Sequence, residues 1–233
     1  GCDKMIKAVV FDVDDTLISE DDYIKSGYQA VAEFLCEKYR DGAGKNWNRT
    51  EVSRQLYRLY EKQSNRVFNE FLDNYSIAYE KKDILELVAV YRNHIPEISF
   101  YPEVEACLKK LKEEGISIGI ISDGYLETQT RKAEVLGLDT LADKIIFTES
   151  LGREYWKPHK YSFQLMKDYF KISYEEMMYV GDNPQKDFYV KKEIPITTVR
   201  IIREKGVYEE KEYREDIKED YRIHSLEEIF EMI

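Results

Sequence analysis

Carboxylates, a hydroxyl group and a lysine occur after short apolar stretches of the sequence. The first stretch runs into Asp12 and Asp14, a later one runs into Ser122, and others lead to Lys157 and Asp182. Taken singly, each residue fits a turn, a helix cap or an exposed surface. Together they could bind and transfer a phosphoryl group, because carboxylates hold a divalent cation while lysine and hydroxyl groups bind phosphate oxygens.

The elements that must position these residues alternate along the chain. The sequence predicts strands at 7–11, 116–121, 144–148, 177–180 and 196–202. It predicts helices at 103–114, 125–136 and 161–170, and a last helix that begins at a capping box formed by Ser225 and Glu228. Alternation of this kind indicates a doubly wound, Rossmann-like parallel α/β sheet. Ligands of such sheets bind at the carboxyl ends of the strands, where the reactive residues lie.

One segment interrupts this alternation. Residues 19–95 contain no convincing strand and show apolar residues at helical spacing instead. We therefore expect an all-helical insertion at 19–95, and an α/β core formed by 1–18 and 96–233.

The reactive residues resemble the four motifs of the haloacid dehalogenase superfamily. Segment 11–17 resembles its D-x-D-x-T signature, Ser122 its second motif, Lys157 its third, and Asp182 with Asp187 its acidic fourth motif. The resemblance covers nearly the whole chain outside the insertion, which occupies the position of the family's helical cap. It extends to the branch that includes sugar-phosphate and nucleotide phosphatases, such as N-acylneuraminate-9-phosphatase and 5'-nucleotidases.

This resemblance implies a phosphatase that acts on a phosphorylated small molecule. Asp12 would attack phosphorus and form an aspartyl-phosphate. Asp14 would protonate the leaving oxygen and then activate water, and we expect neighbouring carboxylates to raise its affinity for the proton. The expected phosphate-binding residues are Ser122, Asp123, Gly124 and Lys157.

The resemblance also implies a Mg²⁺ ion held by the Asp12 side chain, the Asp14 backbone carbonyl and the Asp182 side chain. Oxygen ligands without histidine or cysteine suit Mg²⁺. Thr16 and Asp187 would support these ligands from outside.

Several alternatives remain open at this stage. A phosphomutase or phosphotransferase shares every core motif and differs in how long the aspartyl-phosphate survives. A phospho-switch module also uses acids and a lysine, but it lacks a helical insertion and an acid at the position of Asp14. A dehalogenase is disfavoured because a departing halide needs no proton from Asp14.

The motifs do not identify the substrate, although Asn65, Arg66 and Asn69 of the insertion could contribute to its selection. His159 is expected to be a loop residue rather than a second base.

Composition narrows the possible partners. A net charge of −11 and a pI near 5.0 disfavour nucleic acids, since no basic stripe is present. No apolar run approaches the roughly 20 residues that span a bilayer. Three separated cysteines, Cys2, Cys36 and Cys107, and the lack of a recognisable signal peptide suggest a cytoplasmic location. The protein is expected to be a monomer or a homodimer. The charged stretch 209–220 is expected to be a surface loop.

Overall fold

The computed structural model describes residues 5–208 and 211–233 of the 233-residue chain. Cys2 and the first two residues of the charged stretch 209–220 lie outside the described residues. The chain divides into two compact units. The sheet unit comprises Gly1–Glu20 and Ile98–Ile233, and the helical unit comprises Asp21–Glu97.

The sheet unit is built on one six-stranded sheet in which every neighbouring pair of strands is parallel. The strands are β1 (Ala8–Phe11), β2 (Ser117–Ser122), β3 (Lys144–Phe147), β4 (Met177–Gly181), β5 (Thr197–Ile201) and β6 (Tyr221–Ile223). Their order is β3-β2-β1-β4-β5-β6. The predicted Rossmann-like α/β fold is thereby confirmed. The sequence did not predict β6, because only one of its three residues, Ile223, is buried and no apolar pattern marks it.

The helical unit contains four helices. They are α1 (Glu20–Lys38), whose first residue belongs to the sheet unit, α2 (Arg49–Glu61), α3 (Val67–Asn74) and α4 (Lys81–Asn93). Aromatic side chains fill much of its interior, and the ring of Tyr28 lies within 6.3 Å of three other aromatic rings. Gly27 leaves space for this packing, because a Cβ atom there would lie 2.2 Å from the ring of Tyr91.

In the described part of the sheet unit, four further α-helices flank the sheet. They are α5 (Val104–Glu113), α6 (Leu126–Leu136), α7 (Leu138–Leu141) and α8 (Tyr161–Phe170). The capping box predicted at the start of the last helix is present, but the helix is not an α-helix. Ser225 and Glu228 form the capping box, and the residues that follow, Leu226–Glu231, form a 3₁₀-helix.

Strand β1 lies at the centre of the core, and all four of its residues are 0% exposed. Its side chains alternate between the two faces of the sheet. Val9 and Phe11 pack with Leu108 of α5, and Val10 packs with Phe163 of α8 on the other face. A strand buried on both faces reads as an uninterrupted apolar run, which is how the sequence revealed it.

Among residues 5–208 and 211–233, no helix combines the length and the apolar character that crossing a bilayer requires.

Replacement of Leu108 by alanine should destabilise the protein. Leu108 is 1% exposed in the core, and deletion of a buried leucine side chain typically costs about 2–5 kcal/mol. Lys109→Ala alters the exposed neighbour on α5 and should change stability by less than about 0.5 kcal/mol. Thermal unfolding followed by circular dichroism compares the two variants. Equal midpoints would contradict the assignment of the core.

Candidate active site

Three carboxylates lie close together between β1 and β4, the two central strands. From this point the chain adds β2 and β3 on one side and β5 and β6 on the other. Asp12 follows β1, and its backbone amide donates a hydrogen bond to the Val180 carbonyl of β4, at 2.9 Å. Asp182 follows β4, and Asp187 lies in the next turn. One carboxylate oxygen from each of Asp12, Asp182 and Asp187 lies within 4.8 Å of the others. Pairing of β1 with β4 therefore brings together residues that are 170 or more positions apart.

A buried lysine faces these carboxylates. The loop after β3 delivers Lys157, which is 4% exposed. Its Nζ atom lies 3.0 Å from Asp12 Oδ1, 3.1 Å from Asp187 Oδ1 and 2.6 Å from the Tyr179 hydroxyl. Sequence analysis missed Tyr179, because a tyrosine inside an apolar strand gives no sign that its hydroxyl group joins a charged cluster.

Asp187 connects the lysine to the backbone of the β4 loop. Its Oδ1 accepts a hydrogen bond from Lys157 Nζ at 3.1 Å and another from the Tyr179 hydroxyl at 2.9 Å. Its Oδ2 accepts hydrogen bonds from the backbone amides of Asp182 and Asn183, at 3.1 and 2.9 Å. Gly181 permits this arrangement, since a Cβ atom there would lie 2.4 Å from Asp187 Oδ2.

Asp14 lies in a different environment from the one that the sequence suggested. Its Oδ1 pairs with Lys132 Nζ at 2.8 Å, and its Oδ2 accepts a hydrogen bond from Gln129 Nε2 at 3.2 Å. Burial raises the pKa of Asp14, but Lys132 and hydrogen bonds from Glu20, Lys132 and Gln129 outweigh burial and hold that pKa below its usual value. The expectation that neighbouring carboxylates raise its proton affinity is therefore wrong for this structure, because Lys132 and the hydrogen bonds to its carboxylate favour the ionised form.

Sequence analysis missed Gln129 and Lys132, although α6 offered a signal for both. They lie three residues apart and share a face with the buried Ala133, so two long polar side chains occupy a buried helix face. Lys132 also lies 3.4 Å from Glu20 Oε2. Burial and the charge of Asp14 raise the pKa of Glu20 well above its usual value.

The residues after β2 are held mostly by contacts within the protein. Ser122 is 1% exposed, and its Oγ accepts a hydrogen bond from Gln129 Nε2 at 2.6 Å. The Asp123 carboxylate accepts hydrogen bonds from the Thr148 hydroxyl, the Lys157 backbone amide and Lys186 Nζ, at 2.6, 3.1 and 3.2 Å. Its side chain thus joins the loops after β2 and β3. Gly124 adopts a φ of +117°.

The residues after Asp14 anchor the loop that follows β1. Asp15 has a φ of +56°, and its carboxylate accepts hydrogen bonds from the backbone amides of Glu20 and Val207, at 3.0 and 2.9 Å. The Thr16 carbonyl accepts two hydrogen bonds from Arg203, at 3.2 and 2.7 Å. The buried Thr16 hydroxyl has no hydrogen-bond partner among the residues that the structure describes. Thr16 therefore supports the loop through its backbone.

Crowding of negative charge shifts the proton affinities at this site. Burial and the nearby Asp187 and Asp14 raise the pKa of Asp12 to about 7, against the opposing effect of Lys157. Burial, Asp12 and Asp187 raise the pKa of Asp182 well above its usual value. Burial alone would lower the pKa of Lys157, but the adjacent carboxylates raise it well above its usual value. One lysine does not neutralise the group, and an added cation would relieve the repulsion.

An open cavity of about 190 Å³ lies over these residues. At roughly 30 Å³ per water molecule, it has room for a phosphoryl group with a hydrated cation. Trp156, Lys186 and Tyr208 also line it, and sequence analysis did not identify them. Burial and Asp182 raise the pKa of Tyr208 to about 12. His159 does not line the cavity. It is exposed, and its Nδ1 accepts a hydrogen bond from the Tyr161 amide at 3.0 Å.

Comparison with known proteins reveals matches over most of the chain. A family model described as haloacid dehalogenase-like hydrolase matches residues 6–188. Glyceraldehyde 3-phosphate phosphatase of Methanocaldococcus jannaschii is 30% identical over 233 residues, which cover 98% of this chain and 97% of that protein. Phosphoserine phosphatase of Thermus thermophilus is 27% identical over 169 residues, which cover 71% of this chain and 63% of that protein.

The fold is also similar to that of solved structures. A haloacid dehalogenase-superfamily hydrolase from Geobacter sulfurreducens superimposes with a TM-score of 0.65, and the match covers 97% of this chain and 96% of that one. Their sequences are 19% identical, so this likeness concerns the fold.

The raised pKa of Asp12 predicts a specific pH dependence of stability in the absence of divalent cations. Its pKa is 3.8 when unperturbed and about 7 in the folded protein. The contribution of the neutral carboxyl group to stability is complete below about pH 4 and is lost as the pH rises to about 7. Asp12→Asn cannot lose this contribution. Its free energy of unfolding should therefore rise relative to that of the unsubstituted protein across this range.

Denaturant unfolding in EDTA at several pH values measures this difference. Asp139→Asn, which removes an exposed carboxylate, serves as the matched control. A difference between Asp12→Asn and the unsubstituted protein that stays constant from pH 4 to pH 7 would contradict the raised pKa.

Proposed function

The chain belongs to the haloacid dehalogenase-like hydrolase family, and on that premise we propose that it is a Mg²⁺-dependent phosphatase of small phosphorylated metabolites. The family predicted from the sequence motifs is confirmed by the match over residues 6–188. One observation carries the proposal. Asp12, Asp182 and Asp187 place carboxylate oxygens within 4.8 Å of one another, and buried Lys157 lies 3.0 Å from Asp12.

Asp12 is the proposed nucleophile. Its Oδ1 is held by Lys157, so the other oxygen is free of that ion pair and can attack phosphorus. The new bond joins this oxygen to phosphorus while the bond from phosphorus to the leaving oxygen breaks, which gives an aspartyl-phosphate. Lys157 holds its positive charge firmly because two carboxylates contact it, and it can also stabilise negative charge on a phosphoryl oxygen.

Asp14 is the proposed acid and base. It donates a proton to the leaving oxygen in the first step and takes a proton from the attacking water in the second. Lys132 favours its ionised form, which suits the second step. A phosphate ester bound beside Asp14 adds negative charge, and like charge favours the protonated form that the first step needs.

The residues present fit a magnesium ion. The clustered oxygens are carboxylates without histidine or cysteine, a ligand set that suits a hard cation. Asp12 and Asp182 would hold the ion with the Asp14 carbonyl, whereas both oxygens of Asp187 already accept hydrogen bonds within the protein. Bound Mg²⁺ would neutralise charge on the carboxylates and on the phosphoryl oxygens.

The substrate is proposed to be a phosphomonoester of a small metabolite. The relatives named glyceraldehyde 3-phosphate phosphatase and phosphoserine phosphatase make these two esters the first candidates. Ser122, Asp123 and Gly124 follow β2 beside the cluster and are proposed to bind the phosphoryl group, chiefly through the Ser122 hydroxyl and backbone amides. The helical unit is proposed to act as the cap domain that selects the substrate.

Asp12→Asn should abolish phosphate release, because an amide cannot form the aspartyl-phosphate. We expect a loss of at least about 10³-fold, as for other nucleophile deletions. The assay measures phosphate released from glyceraldehyde 3-phosphate, phosphoserine, sugar phosphates and nucleotides in the presence of Mg²⁺. Asp139→Asn is the control and should retain activity.

The same assay separates the alternatives. Full activity of Asp12→Asn would remove the nucleophile assignment. Transfer of the phosphoryl group to a second acceptor without net release would indicate a mutase. Phosphorylation of Asp12 without turnover would indicate a phospho-switch.

Mg²⁺ should stabilise the folded protein. A ligand at 100 times its dissociation constant adds about 2.7 kcal/mol, which for a protein of this size raises the unfolding midpoint by roughly 5–10 °C. Asp182→Asn removes a proposed ligand and should remove most of this rise. Differential scanning fluorimetry with Mg²⁺ and with EDTA measures it, and an equal rise in Asp182→Asn would refute the proposed metal site.

A further inference from the structure

Two buried polar side chains of α6 contact Asp14 from one side. Gln129 is 4% exposed and Lys132 is 2% exposed. Lys132 Nζ lies 2.8 Å from Asp14 Oδ1, and Gln129 Nε2 lies 3.2 Å from Asp14 Oδ2. Each carboxylate oxygen thus has its own donor, so both the position and the rotation of the carboxylate plane are fixed.

The same amide group of Gln129 reaches a second residue of the site. Its Nε2 donates a hydrogen bond to Ser122 Oγ at 2.6 Å. Because this contact uses a lone pair of the Ser122 oxygen, the hydroxyl hydrogen points elsewhere. It is donated to the Asp123 carbonyl over a long 3.4 Å, a weak contact that a phosphoryl oxygen could replace. Gln129 therefore connects Asp14, which follows β1, with the hydroxyl group that follows β2.

The absence of a side chain at Gly124 leaves space for Gln129. Gly124 has a φ of +117°, and a Cβ atom there would lie 3.2 Å from Gln129 Cγ. A side chain at position 124 would therefore both strain the backbone and press on Gln129. Gln129 and Lys132 lie on the same face of α6, which begins four residues after Ser122.

We propose that Gln129 and Lys132 are positioning residues that hold the Asp14 carboxyl group in line with the leaving oxygen, with Gln129 also orienting the Ser122 hydroxyl. This inference rests on the proposed phosphatase function. A buried lysine and glutamine have a high desolvation cost. Here Gln129 contacts the Asp14 carboxylate and the Ser122 hydroxyl, and Lys132 contacts Asp14 more closely than Glu20, at 2.8 Å against 3.4 Å. A general acid works only when its proton lies within hydrogen-bond reach of the atom that receives it.

The inference predicts a change in leaving-group dependence. Phenyl phosphate and p-nitrophenyl phosphate have similar shapes, but phenolate is the stronger base and depends more on protonation as it leaves. Gln129→Met and Lys132→Met each keep the length of the side chain and remove its donors. In Lys132→Met, kcat/KM should fall about 10-fold or more for phenyl phosphate, against at most about threefold for p-nitrophenyl phosphate. In Gln129→Met, loss of the Ser122 contact lowers both rates, and the fall for phenyl phosphate should still be at least about threefold the larger.

A double-mutant cycle tests whether the effect passes through Asp14. In an Asp14→Asn background, adding Lys132→Met should change neither the rates nor their ratio by more than about twofold. Adding Gln129→Met there should leave the ratio unchanged within about twofold, because loss of the Ser122 contact lowers both rates alike. Lys109→Met removes an exposed lysine from α5 and is the matched control, which should behave like the unsubstituted protein. Circular dichroism and thermal unfolding report whether each variant folds. If Lys132→Met fails to fold, Gln129→Met still decides the inference, because it removes no charge.

The outcomes separate the two levels of the proposal. An unchanged ratio in either folded variant would overturn the role assigned to that residue while leaving the phosphatase function intact. In the Asp14→Asn background, a further loss of rate from Lys132→Met or a further change of the ratio from Gln129→Met would do the same. Failure of the unsubstituted protein to hydrolyse either ester with Mg²⁺ would instead remove the proposed function, and the inference with it.

Discussion

Repulsion between carboxylates at one edge of the sheet is the constraint on which the site depends. Asp12, Asp182 and Asp187 lie within a few ångströms of one another, in surroundings that exclude most water. Lys157 offsets part of this repulsion through direct contacts with Asp12 and Asp187. Burial and the remaining negative charge keep the pKa values of Asp12 and Asp182 high. The same charge is the basis of the proposed affinity for a hard cation.

The sheet unit stabilises this arrangement through its backbone as well as its side chains. Asp187 holds the amides of the loop after β4, and Asp123 holds the loop after β3. Asp15 does the same for the residues after β1 by accepting hydrogen bonds from two backbone amides. Acidic residues near the site thus divide into those proposed to act on a ligand and those whose carboxylates fix loops, although members of both groups line the cavity. The two groups look alike in the sequence.

Asp14 shows how one carboxylate can differ from its neighbours a few residues away. Burial, with help from the nearby Asp187 and Asp14, raises the pKa of Asp12 to about 7 against the effect of Lys157. Asp14 lies beside Lys132, and its pKa falls below the usual value. A nucleophile reacts in its ionised form and a general acid in its protonated form. For the proposed tasks, a bound cation would therefore have to lower the pKa of Asp12, and a bound phosphate ester would have to raise that of Asp14.

The sequence by itself determined the fold class and the family, and it predicted Asp12, Lys157 and Asp182 as site residues, which the structure brings close together. Apolar runs such as 7–11 specify buried parallel strands, and the residue types at strand exits follow directly from the chain. Only the tertiary structure decided what surrounds each group. Gln129, Lys132 and Tyr179 reach the site because α6 and β4 pack beside it. The contacts of Gln129 and Lys132 with Asp14 join residues more than 100 positions apart, so a polar residue on a buried helix face or strand does not reveal which group it contacts. For the same reason the pKa of Asp14 could not be predicted, because charge interactions depend on distances in space rather than in sequence.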